Sequence, residues 1–220
     1  MKTDVNNRIS LKSRVRYLFI FLPIHLLIGV IYIIIGNYTF QMKYYTLSTG
    51  FDDIIPFVPQ FEFIYLILYI LPIIPIFTIN QIGRLKLAFA SFIAINMISF
   101  VFFFLYPVYC PKPFINTNTV SEYLLSIEHS MDTPMNSFPS LHAGVSLLVF
   151  FWCRGYNRYL TGGLFIISIM IGASAVLIKQ HYALDIAGGF ILAFIVYKIT
   201  LLFSNHSYLL KKKIIRKICW

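Results

Sequence analysis

The chain has 220 residues, of which 59% are apolar or aromatic and only 12% are charged, with a mean hydropathy of +0.78. Soluble domains carry about twice that charged fraction. A soluble globular enzyme, a disordered tail and a fibrous protein are therefore poor readings, and an integral membrane protein is predicted. The net charge of +10 raises nucleic acid as a partner, but the excess sits at the two ends. It lies in Lys2, Arg8, Lys12, Arg14 and Arg16, and again in Lys211, Lys212, Lys213, Arg216 and Lys217. Basic clusters beside apolar spans read as cytoplasmic anchors facing anionic membrane lipid, and no nucleic-acid-reading module accompanies them. No nucleic-acid partner is expected.

The first apolar run is nearer to about 20 residues than to the roughly 7–15 of a signal peptide, and no Ala-x-Ala site follows it, so it is expected as a retained span. A bilayer core of about 30 Å takes about 20 helical residues. Six segments qualify, near 17–36, 61–81, 84–106, 141–156, 160–179 and 182–203. The expected fold is all-α: one polytopic domain over 1–220, a six-transmembrane-helix bundle with basic tails at 1–16 and 204–220. The stretch Asp53–Pro59 is too rich in proline to span and is placed at the interface. In the longer loop, Thr119-Val-Ser-Glu122 forms a possible capping box ahead of Tyr123, Leu124, Leu125 and Ile127, which predicts a short interfacial helix over 119–130. A plain solvated loop is the competing reading.

Orientation follows from the Lys and Arg count on each side. The tails and the short connections at Arg84–Lys86 and Arg154–Arg158 hold 14 of the 18, whereas Lys43, Lys112 and Lys179 fall opposite with seven of the eight acids. Both termini are expected to be cytoplasmic. Cys110, Cys153 and Cys219 are too few and too scattered for a disulfide framework or a zinc site. On this topology Cys110 is the outward thiol and Cys219 the inward one.

Ionisable groups at membrane depth are costly and count as functional candidates. Away from the tails and basic loops, the polar groups at span ends are Lys112, Ser140, His142, Ser174, Lys179, His181 and Asp185. His142 and His181 lie 39 residues apart, separated by two membrane crossings, so the chain returns the second to the face of the first. His181 and Asp185 stand at i and i+4, where a carboxylate can hold one ring nitrogen and leave the other free. Ser140 precedes an apolar helical run as a candidate N-cap, leaving backbone N–H groups as an anion site. With Lys112 and Lys179 beside them, these residues describe a pocket for a phosphoryl group. His142, His181 and Asp185 could instead bind a divalent metal as two His and one carboxylate, but no fourth ligand or second histidine pair is evident. No metal and no cofactor is expected. His25, His129 and His206 read as satisfied interfacial or loop residues, and Gly172, Gly188 and Gly189 as close helix contacts.

Phe138-Pro139-Ser140-Leu141-His142-Ala143 and Ser174-x6-His181-Tyr182-x2-Asp185 resemble the second and third motifs of the type 2 phosphatidic acid phosphatase superfamily. Leu141 after the Ser, and Lys179-Gln180-His181-Tyr182 before the Asp, look most like its inositol phosphorylceramide synthase-like branch. The resemblance covers residues from about 50 to 195. It implies metal-independent phosphoryl transfer on a lipid phosphate at the non-cytoplasmic leaflet. His181 would be the nucleophile, Asp185 its orienter and His142 the proton donor and then acceptor, with Lys112, Ser140 and Lys179 on the phosphate. The family's first motif aligns only in part: its leading Lys falls on Leu105, its Arg-Pro on Lys112-Pro113, and the Arg of the third motif on Ala175. Lys cannot reproduce the bidentate fork of Arg, so the phosphate clamp differs. With water as acceptor the chain is a lipid phosphatase, the favoured reading. With an alcohol acceptor it is a headgroup phosphotransferase, and without turnover a lipid-binding or lipid-moving protein.

Overall fold

The structure is a computed structural model that describes residues 9–218, with side chains through Ser204. Lys2, Arg8 and Cys219 lie outside the described residues, as do the side chains of His206 and of the basic cluster from Lys211 to Lys217. Among the described residues the fold is all-helical, with no strands and only isolated bridges such as those at Val108.

Helix α1 (Leu11–Thr39) begins at Ser10, whose hydroxyl accepts from Ser13 N–H, and most of its apolar surface stays exposed. The next connection carries a five-residue helix, α2 (Gly50–Ile54). The second predicted span is broken into short pieces: a 3-10 turn at Pro59–Phe61, α3 (Glu62–Tyr65), 3-10 turns at Leu66–Tyr69 and Leu71–Ile73, and α4 (Ile74–Thr78). Pro72 and Pro75 lack the N–H that a continuous helix needs. Then follow α5 (Ile82–Leu105), α6 (Val120–Met131), α7 (Leu141–Cys153), α8 (Arg158–Leu177) and α9 (Ala183–Ile218). The α6 helix confirms the predicted capping box: Thr119 Oγ1 accepts from Glu122 N–H, and the Glu122 carboxylate accepts from Thr119 N–H at 2.9 Å. The last helix continues past the expected boundary near 203 into the C-terminal tail.

Among the described residues the expectation of six spans is corrected to five. Leu11–Thr39, Pro59–Thr78, Ile82–Leu105, Arg158–Leu177 and Ala183–Ser204 are long and apolar enough to cross a membrane. These helices imply an integral membrane protein. The remaining segment, α7, has 13 residues, about 20 Å at 1.5 Å per residue. Eleven of its thirteen residues are buried, and it packs against α5, α8 and α9 at the centre of the bundle. Its apolar character is that of a core helix, and hydropathy counts such residues the same way whether the neighbour is protein or lipid. The predicted small-residue contacts are real. A Cβ on Gly172 would meet Ile186 and Phe190, one on Gly188 the Phe138 ring, and one on Gly189 would run into the carbonyl oxygen of Ser140. Such close approach brings the α7 and α9 backbones together.

The two ends of the bundle differ in kind. The start of α7, the end of α8 and the start of α9 meet at one end, where Ser140 N–H donates to Asp185 O at 3.0 Å. At the other, the short basic connections gather: Arg84 donates to Trp152 O and Arg154 O, and Arg14 to the carbonyls of Ile76 and Ile79.

Candidate active site

His142 is carried in the first turn of α7. Ser140 caps that helix as predicted, its hydroxyl accepting from Ala143 N–H at 3.4 Å. His181 arrives by a different device. Helix α8 closes with Lys179 in the left-handed region at φ 59°, Lys179 N–H donating to Val176 O and Gln180 N–H to Ala175 O. This is a Schellman closure with lysine where glycine usually stands. The conformation costs a side-chain-bearing residue about 1 kcal/mol. Lys179 is held there because its ammonium donates to Asp52 O (2.9 Å) and Ile55 O (2.6 Å). The turn places His181 two residues ahead of α9, not on the helix itself as the i, i+4 reading assumed.

Tertiary packing joins the predicted residues. His142 Nδ1 lies 3.2 Å from His181 Nε2, both rings buried. Asp185 Oδ2 lies 3.5 Å from His181 Nδ1, an ion-pair distance rather than a short direct hydrogen bond. That same oxygen accepts from Tyr182 N–H at 2.8 Å and from the Ser137 hydroxyl, which is itself 3.4 Å from His181 Nδ1. Asp185 is thus also the acid that reaches back to the entry of α9, completing half of a capping box.

A cavity of about 350 Å³ opens beside His181 and is lined by Lys112, Lys179, Ser48, Asp52 and Asp53. Three of the six predicted residues therefore face it. His142 and Asp185 stand behind His181, and Ser140 is buried under the N-terminus of α7. Neither cation is free. Lys112 donates to Asp132 O at 2.7 Å and pairs with its carboxylate at 3.3 Å, while Lys179 is spent on the two carbonyls named above. Burial works against ionisation of Asp52. Donation from Ala183 N–H and Thr49, with the Lys179 charge, outweighs it and holds the Asp52 carboxyl below its ordinary value. Cys110 is only 4% exposed and burial pushes its thiol up to about 12, which makes it a poor reporter for labelling despite its place on the cavity wall.

Two residues in contact with the histidines carry no signal in the sequence. Tyr65 on α3 stacks on His142 with ring centroids 4.2 Å apart, and its hydroxyl lies 3.2 Å from His142 Nδ1. Ser137 precedes the Phe138-Pro139-Ser140 run by a single position and reads there as an ordinary loop serine. Nothing in periodicity or spacing points to either.

A helical bundle with paired histidines and a carboxylate beside a lysine-lined cavity is the arrangement that the motifs anticipated. The sequence profile of the PAP2 superfamily matches residues 46–199, more than half of the chain, and the protein belongs to that superfamily. The matched segment contains every predicted site residue. Membership supports a phosphatase-type function. No curated protein and no solved structure matches the chain.

Proposed function

We propose that the chain is a metal-independent lipid phosphatase that hydrolyses a lipid phosphate monoester or diphosphate through a phosphohistidine on His181. The observation that carries this reading is the 3.2 Å approach of His142 Nδ1 to His181 Nε2 beside a cavity bearing Lys112 and Lys179. In the first step the Nε2 lone pair attacks phosphorus. The bond to the lipid oxygen breaks with its electron pair on that oxygen, which takes the proton of His142 Nδ1. In the second, water attacks phosphorus and gives its proton to His142 Nδ1, and the P–N pair returns to Nε2. Asp185 and Ser137 keep Nδ1 of His181 engaged so that Nε2 remains the free nucleophile. Lys112 and Lys179 neutralise phosphate charge once it draws them from Asp132 and from the carbonyls, and Ser140 orders the α7 N-terminus. Phosphoryl transfer depends mostly on such positioning and neutralisation.

A second reading, headgroup transfer of the inositol phosphorylceramide synthase type, is favoured by the cavity wall. The exposed Ser48 hydroxyl and Asp53 carboxylate are groups suited to an alcohol acceptor. The deciding experiment is inorganic phosphate release by detergent-purified protein over a panel of lipid phosphates with EDTA present. Release that vanishes in His181→Ala, without rescue by divalent ions, supports the phosphatase. New lipid product without phosphate, on adding alcohol acceptors, supports the transferase. Divalent-dependent turnover surviving in His181→Ala sinks both.

The proposed orientation puts both termini in the cytoplasm and the site on the extracytoplasmic side: Arg14, Arg84 and Arg154 gather at the end opposite the histidines. Helix α7, too short to be a span by itself, still carries the chain from His142 at one end to Arg154 at the other, so five spans and α7 together make an even number of passes. In intact cells an impermeant thiol reagent should label Asn118→Cys and not Tyr156→Cys. The reverse pattern would invert the topology.

A further inference from the structure

We infer that Tyr65 is a positioning residue for the proton-transferring histidine, its hydroxyl and ring together holding His142 so that Nδ1 faces His181 Nε2. The inference rests on the phosphohistidine reading above and adds to it a group outside the paired motifs.

The physical reason lies in the symmetry of imidazole. A half-turn about the Cβ–Cγ bond exchanges Nδ1 with the Cδ2 edge, and the two orientations have nearly the same shape. Packing alone barely separates them. The Tyr65 ring, stacked at 27° to the His142 ring, fixes the ring plane but presents the same face to either orientation. Only a polar group can tell nitrogen from carbon at that position. The Tyr65 hydroxyl is such a group: Tyr65 is 0% exposed, and among the described residues its Oη has one hydrogen-bond partner, His142 Nδ1. In the flipped orientation a C–H would face this hydroxyl, leaving its buried oxygen without the Nδ1–H donor, which is strongly disfavoured.

The consequence for the reaction is direct. His142 Nδ1 lies 3.2 Å from both Tyr65 Oη and His181 Nε2, so the nitrogen that the tyrosine selects is the one beside the attacking atom. A flipped His142 would offer the departing oxygen a C–H and no proton. Once Nδ1 has given its proton to the leaving oxygen, it is an acceptor, and the Tyr65 O–H donates to it until the second step returns the proton. Tyr65 itself neither gains nor loses a proton over the cycle. The pair is 77 positions apart in sequence, and α3, the single helical turn after the Pro59 turn, brings them together.

The test is Tyr65→Phe, which keeps the stacked ring and removes only the hydroxyl. First-turnover leaving-group release is measured with enzyme in excess on two substrates, a short-chain phosphatidic acid and p-nitrophenyl phosphate. The first expels an alkoxide that needs a proton; the second expels a stable phenolate that does not. Tyr65→Phe should slow the first about 10- to 100-fold and leave the second within about twofold, the bias that His142→Ala should show more strongly. Equal slowing of both substrates would make Tyr65 a packing residue and overturn the proposal, as would no slowing of either. His181→Ala runs in parallel: turnover surviving there, or none by the wild type on either substrate, overturns the phosphohistidine reading itself.

Discussion

The two ends of this bundle are made by the same apolar helices and capped by different groups. At the basic end, guanidinium groups meet carbonyls: Arg84 on Trp152 O and Arg154 O, Arg14 on Ile76 O and Ile79 O. At the histidine end, carboxylates meet N–H groups at the start of α9, Asp52 accepting from Ala183 and Asp185 from Tyr182. Helix C-termini attract cations and N-termini attract anions, so each end carries the sign that its helix ends demand. The difference lies in what remains after capping. The arginines close helix ends and do no more there. At the histidine end the same groups that cap helices also belong to the candidate site: Asp185 serves both the entry of α9 and His181, and Lys179 both shapes the turn and lines the cavity. Capping groups and candidate-site groups coincide at one end only.

Substitutions at the two ends should therefore separate activity from stability. The largest effect expected is at His181, where Ala should bring turnover below about a thousandth of wild type with the melting temperature little changed. A fall in melting temperature matching the loss of activity would merge the two roles. Next is Gly189→Ala. The new Cβ would run into the Ser140 carbonyl, with Gly144 N at 3.1 Å behind it, and backbone on both sides cannot step aside. A cost of about 3 kcal/mol and loss of activity together are expected, read by thermal unfolding in detergent and by phosphate release. A variant as stable as wild type would show that α7 and α9 are farther apart than described. The smallest effect is at Arg84, where Ala removes two charged hydrogen bonds from a half-buried position. It should cost about 1 kcal/mol and leave the turnover of folded protein unchanged. A drop in turnover there would mean that the two ends are coupled.

Local pattern made the apolar segments legible, along with the Thr119–Glu122 capping box and the small-residue contacts, because each is a property of neighbours in the chain. It failed where the same composition serves two surroundings. The α1 helix is apolar with most of its surface exposed, and α7 is apolar with eleven of thirteen residues buried, and a window of hydropathy scores them alike. The prolines at 72 and 75 were visible, but their effect on a span depends on whether neighbouring segments satisfy the freed carbonyls, which the chain does not state locally. Of the candidate site, His142, His181 and Asp185 could be read from motif order, although the helix spacing assumed for His181 and Asp185 does not hold. Tyr65 could not, since an aromatic residue in an apolar run has no signature until a partner 77 positions away is in place. The sequence places Lys112 and Lys179 beside the phosphate pocket but says nothing of their partners. The structure pairs Lys112 with Asp132 and Lys179 with backbone carbonyls, because a part-buried ammonium needs hydrogen-bond partners.

By itself the sequence determined that this chain belongs in a membrane, that its basic clusters lie at the tails and short connections, and that two histidines return to one face. Period, charge and motif order are local quantities, and they survive without a fold. Only the tertiary structure decided that five segments are long enough to span while the sixth is the core around which the others pack. It likewise decided that His142 meets His181 through Nδ1, that Ser137 and Tyr65 contact them, and that Asp52 lines the cavity beside them. Those are matters of distance between residues far apart in sequence, and packing sets such distances.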